Sequence, residues 1–281
     1  MKWKHKKGEW DLSAHALIMG VLNITPDSFS DGGQFLDPHI ALQHAEILVQ
    51  QGADIIDVGG ESTRPGATSI SEEEELKRIL PVLKLLANRI TIPFSIDTTK
   101  PEVAHICLEE GAAIINDTSG AQNSKMISLI AQKKCGYILM HSQGKPETMQ
   151  IAPSYHHVVD DILHFFQTQL QHLQTAGVDL EHIAIDPGFG FGKTWDHNRT
   201  LFLNLEQFHR FQRPLLVGIS RKSFLGKVTQ TLPQDRLGAT LAVETLALWQ
   251  GAAIIRTHEV APARQIVKMV AALKNSSYGL D

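Results

Sequence analysis

Short aliphatic runs recur along the whole chain, each followed by a longer amphipathic stretch, and this alternation constrains the fold more than any other feature. The runs lie at 16–22, 54–58, 92–96, 113–115, 137–140, 183–185, 215–219 and 253–255. They number about eight, which is what a closed barrel of alternating strands and helices requires. The stretches that follow, at 38–51, 72–88, 101–110, 124–133, 155–175, 198–211, 234–250 and 262–273, carry apolar residues at helical spacing. Pro38 and Pro101 suit first-turn positions, and Ser71 before a run of glutamates reads as an N-cap with the anions on the positive end of the helix dipole. Gly52, Gly111, Gly177 and Gly251 stand where C-terminal caps belong, and Pro81 is expected to kink or split its helix. The expected architecture is therefore α/β, a (β/α)8 TIM barrel over 15–281 as a single domain, preceded by a short N-terminal extension, 1–14. An open doubly wound sheet is the alternative, but no Gly-rich dinucleotide turn follows the first run.

Charge and cysteine content narrow the function classes. Lys and Arg total 26 against 30 Asp and Glu in 281 residues, so no basic field exists to gather a nucleic-acid backbone or an anionic membrane. Cys107 and Cys135 lie in separate apolar segments without CxxC spacing, which provides neither a disulfide framework nor a zinc cluster. The segment before Leu12 is basic and carries Trp3 and Trp10, yet no apolar run of signal-peptide or membrane-spanning length follows. A cytoplasmic protein is expected. The 14 histidines show no HExxH or His-x-His pattern, and no Gly-x-Ser-x-Gly elbow supplies a nucleophile. Positioning and charge, not covalent catalysis, are the expected tools.

In such a barrel the active site lies at the C-terminal ends of the strands. Nearly every aliphatic run here ends in a polar group: Asn23, Asp57, Asp97, Asn116 with Asp117, His141, Asp186, Ser220 with Arg221 and Lys222, then Arg256 and His258. Any one of these could be a cap or turn former; capping does not account for all of them on one rim. Asp97, Asn116 and Asp186 suit the N–H edge of a nitrogen heterocycle, whereas Lys222, Arg256 and His258 suit a phosphate or carboxylate. Asn23 could lend an oxygen to a Mg²⁺ that bridges phosphate oxygens. The glycine-hinged segments after the first two runs, 23–33 and 59–66, have the length and polarity of binding loops. DPGFGFGK at 186–193 looks like a phosphate loop but lacks the Walker frame, so its glycines are read as backbone clearance beside a flat ligand, with Phe191 as an aromatic wall.

Taken together these segments resemble the dihydropteroate synthase family over nearly the whole chain. The marks are GVLNITPDSFSDGG from Gly20 to Gly33, DVGGESTRPG from Asp57 to Gly66, SIDT at 95–98, IND at 115–117, LMH at 139–141, the Asp186 loop, SRKSFLG from Ser220 to Gly226 and RTH at 256–258. The resemblance implies condensation of (7,8-dihydropterin-6-yl)methyl diphosphate with 4-aminobenzoate, on a Mg²⁺-assisted homodimeric barrel open to sulfonamide competition. It implies that Asp97, Asn116, Met140, Asp186, Lys222 and Arg256 hold the pterin. It places Asn23, Thr63, Arg256 and His258 on the diphosphate, with Asn23 at the metal, and Thr63, Arg64, Pro65, Phe191 and Ser223 around the aminobenzoate. Ser142 and Glu259 depart from the residues usual in the family at those positions.

An electron-rich pterin can stabilise a cation at its exocyclic methylene once diphosphate leaves, so the implied path is SN1-like. Lys222, Arg256 and Asp97 are the residues expected to balance the charges that develop. Two other readings share the pterin contacts: a methyltransferase barrel that hands a methyl group to a corrinoid protein, and a non-catalytic pterin-binding homologue.

Overall fold

The computed structural model describes residues 1–13, 15–25, 37–63, 66–144 and 146–274. The chain opens with an antiparallel hairpin, β1 (Lys2–His5) and β2 (Gly8–Asp11), in which Trp3 pairs with Trp10. Eight parallel strands follow: β3 (Leu17–Asn23), β4 (Ile55–Gly59), β5 (Phe94–Asp97), β6 (Ile114–Asp117), β7 (Gly136–Met140), β8 (Ile183–Asp186), β9 (Leu216–Val217) and β10 (Ile254–Thr257). Their order is β8-β7-β6-β5-β4-β3-β10-β9, and a single parallel bridge between Ile185 and Leu215 brings the last edge back to the first. The result is a nearly closed (β/α)8 barrel, with every aliphatic run of the sequence reading present as a strand.

Helices α1 (Pro38–Gln50), α2 (Glu72–Arg89), α3 (Pro101–Glu109), α4 (Ser124–Lys133), α5 (Val158–Thr175), α6 (Trp195–Leu203), α7 (Ser223–Thr229), α8 (Leu237–Trp249) and α9 (Val260–Lys274) surround it. Local chemistry sets their ends. Asp37 caps α1 by accepting from His39 N at 2.8 Å, and Ser71 Oγ caps α2 by accepting from Glu74 N at 3.1 Å. Gly52 and Gly111 close α1 and α3 at φ of 99° and 102°, a region costly for other residues.

Three expectations need correction. Of the kink or split expected at Pro81, the split does not occur, and α2 continues through it as one helix. One lost amide bond is outweighed by the buried Ile79, Val82, Leu83 and Leu86 face. The stretch 198–211 is two elements, α6 and a 3-10 turn over Leu205–Phe211 joined at Asn204, whose side-chain amide bonds back to Thr200 O at 2.8 Å. Finally, α7 lies between two of the helical stretches read from the sequence. It is too short to register as a period.

Leu17 and Met19 of β3 turn into the barrel, with Ile55, Ala113, Ile114, Ile138, Ala184, Leu216 and Ile254, while Ile18 and Leu22 join the larger core beneath the helices. Trp3 belongs to the inner cluster and is fully buried. Its indole Nε1 donates to His182 O at 2.9 Å, and Lys6 N donates to Ala113 O at 3.3 Å. The hairpin thus plugs the N-terminal end of the barrel, opposite the rim where the polar strand ends gather.

Candidate active site

Pairing register builds the rim. Asn23 stands opposite Gly59, Gly59 opposite Asp97, and Asp97 opposite Asn116, so three of the expected ligand residues occupy one row across four adjacent strands. Met140 faces Asp186 in the same way between β7 and β8. Each aliphatic run supplies the strand, and the polar residue at its end is held at barrel depth; Asp97, Asn116 and Asp186 are all buried.

Arg256 crosses the mouth from β10. Its Nε donates to Asp57 Oδ2 at 2.6 Å and its Nη2 to Asp97 Oδ2 at 2.9 Å, while Asn116 Nδ2 donates to the same Asp57 oxygen at 3.1 Å. Burial works against the guanidinium charge, but the Asp57 and Asp97 carboxylates hold its pKa above the ordinary value. Burial likewise pushes the Asp97 carboxyl up, against the pull of Arg256, and raises Asp186 against Lys222 and the Gly188 N–H. Asp97 Oδ1 and Asp57 Oδ1 are buried with no hydrogen-bond partner among the described residues. A buried carboxylate oxygen of this kind calls for a further donor, and the Asp97 oxygen sits in the row expected to meet a heterocycle edge.

Asp57 is the residue that the site assignment from sequence left out. Its position at a strand end was visible, but its role depends on a partner 199 residues away. Asp117 turns to structure instead: it accepts from Tyr137 Oη at 2.6 Å and from Ser119 N at 2.8 Å.

On the far side of the mouth, Lys222 Nζ donates to Phe189 O and stands 4.3 Å from the centroid of the Phe191 ring. Burial pulls its pKa down to about 8, with Asp186 opposing. The turn that carries Lys222 is held from several sides. Ser220 Oγ accepts from His258 N at 3.2 Å and lies 3.0 Å from His258 Nδ1. Arg221 adopts φ of 58°, a left-handed conformation that costs a non-glycine residue about 1–2 kcal/mol. Its N–H bonds to Thr240 Oγ1 at 3.2 Å, its carbonyl accepts from Arg236 Nη1 at 2.7 Å, and its side chain pairs with Glu259 at 2.6 Å. Such a set of contacts is what a strained turn needs to persist. Ser223 follows at the start of α7 and is exposed. Glu61, below Thr63, is fixed by Lys100, which also bonds buried Glu75 at 2.6 Å. Arg64 and Pro65 lie outside the described residues.

Two glycines of the 186–193 loop give clearance to a neighbouring loop. A side chain at Gly188 or Gly192 would collide with the backbone carbonyl of His141 or of Gln143, so these two admit a neighbouring loop, whereas one at Gly190 would come 3.1 Å from the Lys222 side chain.

The family described as Pterin binding enzyme matches residues 19–258 of this chain. Dihydropteroate synthase of Escherichia coli K12 is 45% identical over 262 residues, covering 93% of this chain and 93% of that protein. The chain belongs to the dihydropteroate synthase family. Among solved structures, Yersinia pestis dihydropteroate synthase with a sulfonamide drug superposes with a TM-score of 0.93 at 42% identity, covering 98% of this chain and 99% of that one. Xanthomonas albilineans dihydropteroate synthase with 4-aminobenzoic acid superposes with a TM-score of 0.88 at 36% identity, covering 95% of each chain. The rim is thus the mouth of a dihydropteroate synthase barrel.

Proposed function

We propose that this chain condenses (7,8-dihydropterin-6-yl)methyl diphosphate with 4-aminobenzoate to give 7,8-dihydropteroate and diphosphate. The observation that carries this is the pairing of a buried acceptor row, Asp97 and Asn116 with Asp186 across the mouth, with the cations Lys222 and Arg256. The acceptors match the amino and N–H edge of the pterin, with Met140 beneath and Lys222 and Arg256 at its rim. Thr63, Arg256 and His258 take the diphosphate oxygens. Phe191, Ser223 and Thr63 take the aminobenzoate, a role the resemblance extends to Arg64 and Pro65.

Mg²⁺ fits at Asn23. Asn23 Oδ1 and Asp97 both face Gly59, where a Cβ would come 3.4 Å from the amide oxygen and 3.7 Å from Asp97 Cβ, so glycine keeps a small polar cradle open. One amide oxygen, with water and diphosphate completing the shell, is a donor set that a hard cation accepts. When bound, the ion would neutralise charge on the departing diphosphate.

The chain's own residues handle the remaining charge. As the C–O bond to diphosphate breaks, Arg256 and His258 stabilise the leaving anion, while Asp97 and Asp186 offset the cation on the pterin methylene. The aminobenzoate nitrogen then forms the C–N bond and gives up one proton to water, so no general base is required. The SN1-like course suits a site whose charges are already in place.

One barrel, 15–281, is the working unit in this reading, with 1–14 closing its base. Exposed Leu237, Leu246 and Trp249 of α8 with Met269 and Leu273 of α9 support a homodimer. No helix among the described residues is long and apolar enough to cross a membrane. Incubating the purified chain with both substrates and Mg²⁺ tests the reading through release of diphosphate and dihydropteroate. A methyltransferase would release neither product, and a non-catalytic homologue would bind pterin without turnover.

A further inference from the structure

Lys193 ends the 186–193 loop and is only 2% exposed. Its Nζ lies 2.8 Å from Gly188 O, 3.1 Å from Phe191 O and 3.0 Å from His141 Nδ1, with His141 O further off at 3.5 Å. An ammonium has three N–H donors, and three close acceptors are present. Where Nζ donates to all three, His141 offers Nδ1 as a lone pair and carries its ring proton on Nε2. Burial and the neighbouring Lys193 hold the His141 pKa down to about 2, so the imidazole is neutral and the arrangement is consistent. All four contacts are to neutral groups. Burial therefore pulls the Lys193 pKa well below its ordinary range, and an apolar residue of the same length would avoid that penalty.

The loop is threaded tightly. Gly188 and Gly192 lie against the carbonyls of His141 and Gln143, and between them stand Phe189 and Phe191. Phe189 O accepts from Lys222 Nζ, and the Phe191 ring lies 4.3 Å from the same ammonium. Lys193 thus grips the loop by Gly188 O and Phe191 O, on either side of the group that holds Lys222.

We propose that Lys193 is a positioning residue for Lys222: it clamps the 186–193 loop onto His141 so that Phe189 O and the Phe191 ring present the Lys222 ammonium to the pterin. The inference rests on the role of Lys222 at the pterin put forward above.

A double-mutant cycle on pterin affinity, read by calorimetry, tests it. Lys222→Met and Lys193→Met should each weaken pterin binding by about tenfold or more, and adding Lys193→Met to Lys222→Met should cost no more than about threefold further. A residue that only fills space would impose the same loss in both backgrounds, and that additive result overturns the proposal while leaving Lys222 in place. Undiminished binding in Lys222→Met would instead remove Lys222 from the site and Lys193's function with it. Should Lys193→Met fail to fold, Lys193→Gln, which keeps donors for one or two of the acceptors, runs the same cycle with a smaller expected loss.

Discussion

Arg256 and Asp57 stand 199 residues apart in sequence and are joined at 2.6 Å across the barrel mouth, with Asp97 bonded to the same guanidinium at 2.9 Å. Asp57 is wholly buried and Asp97 nearly so, which makes one arginine the counterion of two carboxylates as well as a candidate ligand of an anion. In the proposed function, substrate recognition and barrel stability are therefore linked at this residue.

Arg256→Met should accordingly lose both. Removing one partner of a buried ion pair typically costs about 3–5 kcal/mol, because the remaining charges stay uncompensated. Turnover should fall at least a hundredfold and the melting temperature should drop, whereas Lys222→Met should lower turnover with little change in melting. Differential scanning calorimetry beside an activity assay checks the contrast. Equal melting of Arg256→Met and wild type would contradict it.

Lys222 gives a pH dependence. Its pKa lies near 8 because burial disfavours the ammonium, so the charged fraction falls as pH rises through that value. Turnover should decline on the alkaline side with an apparent pKa near 8. In Lys222→Arg the charge persists, and the decline should move up by about one pH unit or more. An alkaline limb that stays unmoved in this variant would assign the titration to another group.

Much of the site was legible because a parallel barrel places the residue after each strand on a common rim, so Asn23, Asp97, Asn116, Asp186 and Arg256 could be named from their positions alone. What remained hidden depends on contacts between distant segments. Asp57 looked like one more strand end until Arg256 was seen to reach it, and Lys193 looked like a failed phosphate-loop lysine until His141 was placed beside it. The hairpin was invisible for a related reason: two strands of four residues each carry too little period to read.

Trp3 supplies a stability test away from the chemistry. Trp3→Ala removes a fully buried indole from the base of the barrel and should cost about 3–5 kcal/mol. Denaturant unfolding should register that loss, with KM for both substrates unchanged in the folded variant. A variant as stable as wild type would show that the hairpin does not seal the base.

Glu244 of α8 is buried, and burial pushes its pKa up to about 8 although Thr257 opposes the shift. Between the ordinary value of 4.5 and about 8 the folded state keeps a proton that the unfolded state releases, so this group lowers stability as pH rises through that window. Glu244→Gln has no proton to lose. Its unfolding free energy should exceed that of wild type at pH near 8, by a margin on the order of 1–3 kcal/mol, and the margin should shrink as pH falls toward 4.5. A margin independent of pH would show that Glu244 does not titrate in the folded protein.

In the proposed reaction the acceptors of the rim hold the pterin while diphosphate leaves and the amine attacks. Turnover of (7,8-dihydropterin-6-yl)methyl diphosphate with 4-aminobenzoate by wild type and by Asp186→Ala, alongside pterin affinity for each, tests it most directly. The wild type should release dihydropteroate and diphosphate in equal amounts, and Asp186→Ala should bind pterin at least about tenfold more weakly, the cost of unpaired ring donors being about 1–3 kcal/mol. A folded wild type that releases no diphosphate, or an Asp186→Ala variant with full pterin affinity, would contradict it.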